Sequence, residues 1–435
     1  MTVDQPELPT SRNASESVSD QLPAVLGGFD LTDQVRFSGG FPHEVFNRLR
    51  ADEPILLHPP GRTRDGESFW VLSRYEDVVE AAANPVFSSQ GGGSREGGGT
   101  HLDDLPAGTY AGGMLNMMDD PRHQLIKDIV SPAVCPSAVA ALEPVVRERA
   151  SALVSTVLER GTCDLQAEVA GRYSVEVVAA LLGVPRQDWS RLVDWAEIAM
   201  GYEDRDEGEA TGRSQAALLD MYKYGCELVR AKRAEPAGDF MSLIATGEIP
   251  EGHGQAPLVD YEREVFFNLI SLAGTEPTRN AIAIGLLALV EHPEQWQALR
   301  ADRSLLDGAV EEALRWSSPT PYNRRTATED IRFRDVLIRE GDKVTLWWAS
   351  ANRDERVFAD PFRFDVRRSP NPHLAFGHGA HTCLGPALAR MELRVLLEEL
   401  LDRVERIELT GPVPWARNSK HTVALRVPVA LTASS

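Results

Sequence analysis

One cysteine sits in a run that leaves its backbone little choice: Phe376-Gly377-His378-Gly379-Ala380-His381-Thr382-Cys383-Leu384-Gly385. Gly377 and Gly379 permit a tight loop, and the helical pattern that follows, from Leu384 to about Asp402, puts Cys383 at the mouth of a helix. Helical N–H groups and the positive end of the dipole stabilise a thiolate there. A thiolate so placed is a metal ligand or a nucleophile. A nucleophilic cysteine needs a base, and His381 stands two residues upstream, but nothing in the sequence holds it within hydrogen-bond reach of the sulfur.

The rest of the chain bounds the class of protein around that loop. A length of 435 residues could hold two or three ordinary domains. Its helical patterns follow one another without a long linker, so one catalytic unit is expected over residues 28–435. Residues 1–27, rich in Ser, Asp, Pro and Gln and without periodicity, read as a disordered N-terminal tail. Cys135, Cys163, Cys226 and Cys383 stand at unrelated spacings with no C-x-x-C, which gives no zinc site or disulfide framework and suggests a reducing cytosol. The best apolar run, Ala281 to Val290, is about half of the roughly 20 residues a membrane span needs. The N-terminus lacks a signal peptide's regions, so a cytoplasmic protein with no membrane partner is expected. The net charge of −20 argues against a nucleic-acid partner.

Periodicity predicts a mostly helical protein with small sheets. Pro42 to Ala51 and Tyr75 to Ala83 read as helices flanking strands at Pro54-Ile55-Leu56-Leu57 and Phe69-Trp70-Val71-Leu72. Between Ser88 and Leu115 lie glycine triplets at Gly91 to Gly93 and Gly97 to Gly99, a functional or disordered loop. Helices are expected over Ser137 to Arg160, Gln166 to Leu182, Gln187 to Met200 and Ser214 to Lys232, with an acidic hinge from Glu203 to Gly212 that could serve as a lid or as a plain solvated loop. Gly341 to Trp348 reads as a turn and a buried strand, and Val404 to Leu409 with Val423 to Val427 as a closing strand pair.

Three helical segments carry polar residues that core packing does not require. The helix opened by Asp119-Asp120-Pro121 puts His123 and Lys127 four apart on one face. The longest helix, about Tyr261 to Glu291, contains Leu272-Ala273-Gly274-Thr275-Glu276-Pro277-Thr278. There a glycine and a proline cost about 1 and 3 kcal/mol in helix propensity, so a kink is expected. A third helix, about Leu305 to Trp316, carries Glu312 and Arg315 three apart, able to lock each other and a further partner.

Taken in order, these segments resemble the cytochrome P450 family. The cysteine run matches its haem-binding loop F-G-x-G-x-H-x-C-x-G at every fixed position. The resemblance extends from about Phe29 to Val427 and implies the mainly α, α+β fold of that family, a triangular helical prism around a buried haem b (iron protoporphyrin IX). Cys383 is then the thiolate ligand of the iron, with Phe376 beside it and Gly377 in the turn. His123, Lys127 in place of the family's arginine, Arg325 and His381 are implied as partners of the haem propionates. Lysine keeps the charge but loses the bidentate fork. Glu312 and Arg315 resemble the family's structural E-x-x-R, with Arg363 as the matching third member. Ala273, Gly274 and Glu276 resemble the A-G-x-[DE]-T signature, in which a groove receives dioxygen and the acid and threonine supply protons. Leu269, Leu272, Ala273 and Pro321 are the expected pocket wall.

The sequence departs from the family where the chemistry is done, because Pro277 stands in the threonine's place. Proline has no N–H, so the carbonyl of Ala273 loses its helical partner and stays free to hold a water or dioxygen. Thr275, Thr278 and Glu276 are the remaining proton-bearing candidates; Thr278 lies about 100° around the helix from the vacated site. Hydroxylation, oxidative coupling or desaturation without oxygen insertion, and unproductive turnover to peroxide are all open. We favour hydroxylation of a small apolar organic substrate, free or bound to a carrier protein, in natural-product biosynthesis. Hydroxylation of a steroid or branched-lipid side chain is the runner-up, and a non-catalytic haem-binding scaffold is a separate class. With no flavin or nicotinamide fingerprint present, ferredoxin and ferredoxin reductase are the implied electron donors to a monomeric enzyme. Arg122, Lys127, Arg390 and Arg394 are candidates for the docking face.

Overall fold

The helical periods become thirteen α-helices among the described residues of a computed structural model, which describes residues 22–92, 95, 97–108, 110–201 and 211–434. The helices are α1 (His43–Asp52), α2 (Tyr75–Ala83), α3 (Arg122–Val130), α4 (Pro136–Arg160), α5 (Arg172–Leu182), α6 (Trp189–Ala199), α7 (Gly212–Ala234), α8 (Phe240–Thr246), α9 (Asp260–Glu291), α10 (Pro293–Ala301), α11 (Leu306–Ser317), α12 (Trp348–Ala351) and α13 (Pro386–Arg403). The strands are β1 (Ile55–His58), β2 (Phe69–Leu72), β3 (Phe87–Ser88), β4 (Gly97–Gly98), β5 (Leu105–Pro106), β6 (Thr162–Asp164), β7 (Asn323–Ala327), β8 (Ile331–Phe333), β9 (Val336–Ile338), β10 (Lys343–Leu346), β11 (Val404–Leu409) and β12 (Pro428–Ala433).

Helix α9 is the axis. It is apolar on almost every side from Ala281 to Leu289, and residues buried on all sides belong inside a protein. It packs against α5, α7, α11 and a π-helical turn over Leu165–Gly171. The main core joins α4 (Val146, Val154), α5 (Tyr173, Val177), α9 (Phe266, Ile282) and α13 (Leu396, Leu400). Beside it a five-stranded sheet runs in the order β1-β2-β10-β7-β3. In it β10 is parallel to β2 and antiparallel to β7, and every residue of β10 is buried as the sequence pattern predicts. This sheet sets Arg325 of β7 facing inward. No single helix among the described residues is long and apolar enough to cross a membrane.

Three expectations are corrected here. Part of the expected disordered tail is ordered: Ala24–Leu26 form a helical turn, Leu26 is fully buried, and Arg48 holds the carbonyls of Val25 and Leu26, while residues 1–21 lie outside the described residues. One leucine with a place in the core suffices to order such a segment. The closing partner of β11 is β12, not residues 423–427. Val423 and Ala424 are used instead to fold the chain back on itself, through the bond Ala416 N–H to Val423 C=O and a bridge between Trp415 and Ala424. The segment expected as one α-helix over residues 166–182 starts as the π turn and becomes α-helical only at Arg172. Of the anticipated acidic hinge, residues 203–210 lie outside the described residues. In the glycine-rich segment, Gly97–Gly98 pairs with Leu105–Pro106.

Candidate active site

The cysteine loop is closed by its own backbone. Gly377 N–H donates to the carbonyl of Leu374 at 3.0 Å and Cys383 N–H to that of Phe376 at 2.9 Å. Gly379 has φ +77°, and a Cβ there would fall 2.4 Å from the carbonyl oxygen of Ala82 at the end of α2, so only glycine fits. Gly385 N–H points at the Cys383 sulfur at 3.4 Å, the helix-mouth contact the sequence predicts. The electrostatic balance differs from that prediction. Burial pushes the thiol's pKa up, and it outweighs the opposing pull of Gly385 N–H, Lys127 and Arg390. Cys383 is nonetheless accessible. A group that is both accessible and enclosed by protein lines an interior cleft, and a metal cation at the sulfur would make the thiolate the resident form. His381 does not serve as its base: the ring lies 4.2 Å from that of His123, and burial, with Arg325, His123 and Lys127 nearby, drives its pKa down to about 2.

That histidine belongs instead to a cationic cradle. Lys127 Nζ donates to the carbonyl of Ala380 at 2.8 Å, which ties α3 to the cysteine loop, and His123 is held by Asp120 at 3.1 Å. Arg325 is 4 % exposed. The one hydrogen bond of its side chain among the described residues goes to the carbonyl of Arg324 at 2.9 Å, and burial lowers its pKa to about 10. A guanidinium in that state calls for an anion. Two cations and two imidazoles meeting beside an accessible cysteine fit a dianionic, iron-bearing haem. Cys383 would hold its iron, while Lys127, Arg325, His123 and His381 would hold its propionates.

Helix α9 carries the remaining candidates and stays helical through Gly274 and Pro277 without a break. Ala273 is exposed and Leu272, Glu276 and Pro277 are partly so, whereas Ser271, Thr275 and Thr278 are buried. A Cβ on Gly274 would meet Val178 of α5 at 2.9 Å. Gly274 therefore permits close helix packing, and Thr278, one turn on, shares that packed face. Thr275 Oγ1 is likewise buried, with no hydrogen-bond partner among the described residues. Neither threonine takes the position vacated at Pro277. Glu276 does face the cleft, and burial raises its pKa to about 7 against the pull of Arg279. Its carboxylate lies 3.8 Å from Nε2 of His421. Leu269 is buried, and Pro321 shares a small cavity with His421, Phe41 and Trp415. Sequence reasoning missed His421, for which its loop offers no motif.

The scaffold beneath the cysteine needs one correction. Glu312 and Arg315 pair at 2.7 Å with neither side chain exposed, as expected. The third member is Arg368, whose Nε lies 3.2 Å from Glu312. Arg363 is 65 % exposed and pairs with Asp365; only its backbone carbonyl meets Arg315, at 3.3 Å. The turn over residues 360–368 points the Arg363 side chain outward and brings Arg368 back. Of the expected docking cations, Arg122 is paired with Glu262, Arg390 with Glu311, and Arg394 with Glu143 and Glu398, so these three face solvent already neutralised.

The chain is similar to known proteins over most of its length. The Cytochrome P450 family profile matches residues 229–428. A Mycobacterium tuberculosis protein named as cytochrome P450 126 is 44% identical over 404 residues, 92% of this chain and 96% of that protein. The methyl-branched lipid omega-hydroxylase of the same organism is 39% identical over 389 residues, 86% of this chain and 87% of its own. The crystal structure of CYP108D1 from Novosphingobium aromaticivorans matches with a TM-score of 0.82 at 29% identity, covering 95% of this chain and 99% of that one. At that identity, over nearly the full length of its relatives, this chain belongs to the cytochrome P450 family and is a haem-thiolate monooxygenase.

Proposed function

We propose that this P450 hydroxylates a small apolar organic substrate in natural-product biosynthesis, as a cytoplasmic monomer taking two electrons from a ferredoxin. When bound, the haem supplies the oxidising chemistry, using dioxygen and those electrons. The observation that carries hydroxylation is Glu276. Facing the cleft with a pKa of about 7, it keeps a proton on its carboxyl oxygen for part of the population near neutral pH and can give it up there. Leu272 and Ala273 offer apolar surface beside it, and Pro277 leaves the Ala273 carbonyl without its i+4 donor, free to hold a water.

A second reading, side-chain hydroxylation of a branched lipid, is favoured by the 39% identity to a relative that bears that name. Both are tested by titrating the ferric protein with terpenoids, steroids, branched lipids, aromatics and peptides, and then reconstituting hits with ferredoxin, reductase and isotopically labelled dioxygen. Hydroxylated product carrying the label is the expected result. A hit among branched lipids alone would establish the second reading. Unlabelled desaturated or coupled product would overturn hydroxylation.

A further inference from the structure

We propose that His421 is a positioning residue for Glu276, orienting the carboxyl group and sharing its proton where the chain has no hydroxyl at position 277. The proposal rests on the reading of Glu276 as the proton-holding acid. The imidazole and the carboxylate approach to 3.8 Å, and their side chains are 21 % and 14 % exposed. That separation is within ion-pair range and longer than a hydrogen bond, and a small rotation of either side chain closes it to one. Thr275 and Thr278 lie in the packed face of α9, so neither can do this from the helix itself.

The loop that carries His421 is fixed on several sides, as a positioning group requires. His421 N–H and Lys420 N–H both donate to Asn418 Oδ1 at 2.8 Å, and Ser419 N–H donates to Gln34 Oε1 at 2.7 Å. Thr422 N–H donates to the carbonyl of Pro319 at 3.1 Å. Lys420 Nζ spans the carbonyls of Thr100 and Tyr322 at 2.8 and 3.2 Å. Among the described residues, Arg279 on α9 faces Glu276, His101 lies near His421, and Lys420 and Arg324 of β7 act in turn on His101. Arg279 favours the carboxylate form of Glu276, while burial keeps His101 uncharged. When the proton is shared, the O–H bond of Glu276 breaks and an N–H bond forms at Nε2. The products are a carboxylate and an imidazolium, with no change in net charge or redox state.

The test uses the haem-loaded protein in its diamagnetic ferrous carbonyl form, with the His421 ring resonances assigned by their loss in His421→Gln. Glu276→Gln is expected to lower the apparent pKa of His421 by about one pH unit, because a carboxylate partner favours the charged imidazole. An unchanged pKa would overturn the pairing. In turnover, His421→Ala is expected to lower product formed per dioxygen consumed by about two- to tenfold, and by much less in a Pro277→Thr background that restores the hydroxyl. An equal loss in both backgrounds would mean ordinary substrate packing and would overturn the proposal. Unimpaired coupling in Glu276→Gln would sink the reading of the acid itself. Impaired coupling there with none in His421→Ala would sink only the role of His421.

Discussion

The buried carboxylate Glu312 gives the sharpest stability test, because three arginines that look interchangeable in sequence differ in what they touch. Glu312 accepts from Arg315 at 2.8 and 2.7 Å, from Arg368 Nε at 3.2 and 3.3 Å, from Asn371 at 3.1 Å and from the Asp365 N–H at 3.0 Å. Arg315 has 0 % side-chain exposure. Glu312→Ala therefore strands a guanidinium in the core, and removing one partner of such a pair costs about 3–5 kcal/mol. Arg368→Ala leaves Glu312 paired with Arg315. It removes charge-assisted bonds to Glu312 and to the carbonyls of Ala359, Asp360 and Arg363, a loss of about 1.5–3 kcal/mol. Arg363→Ala removes one exposed ion pair with Asp365 and costs under about 1 kcal/mol. Urea unfolding followed by tryptophan fluorescence, at one fixed haem concentration because bound cofactor shifts the midpoint, should rank the variants in that order with similar slopes. If Arg363→Ala unfolds as early as Arg368→Ala, the assignment of the third partner is wrong. If Glu312→Ala costs less than about 1 kcal/mol, the buried pair does not carry the stability assigned to it.

Further outcomes follow from the site. Glu276 has a folded-state pKa of about 7 against an ordinary value near 4.3, so the fold holds a proton that the unfolded chain releases. Stability should fall as pH rises between those values, by at most about 1.4 kcal/mol per unit, and level off above them. Glu276→Gln should flatten that window in unfolding measurements across pH 4 to 8. Gly379→Ala forces a Cβ toward the Ala82 carbonyl at positive φ. It should destabilise by about 1–3 kcal/mol and reduce haem retained on a desalting column, and wild-type retention would contradict the close approach. Arg325→Ala should speed haem transfer to an apoglobin acceptor with little change in secondary structure by circular dichroism; an unchanged transfer rate would remove Arg325 from the cradle. Cys383→His should abolish the thiolate-type spectrum of the reduced carbonyl complex, and its survival would refute sulfur ligation.

Much of this was legible locally. The cysteine loop, the His123–Lys127 pair, the Glu312–Arg315 pair and the accessible stripe Ala273–Glu276–Pro277 each lie within one turn or one loop, where spacing decides which side chains are neighbours. The sequence alone thus determined the fold class, the haem-thiolate chemistry and the loss of the distal hydroxyl. What it left open were matters between distant segments. Arg368 rather than Arg363 joins Glu312 because the turn over residues 360–368 reverses the chain. Thr278 is withdrawn from the cleft because Gly274 lets α5 close on that face of α9. The Cys383 thiol is pushed up because burial outweighs the helix mouth, a sum over surroundings that no motif encodes. His421 meets Glu276 across 144 residues of intervening chain only after the C-terminal loop is pinned to Pro319 and Asn418. Spacing along the chain dictates contacts within an element; contacts between elements, and the desolvation they impose, are set by packing, and only the folded protein decides them.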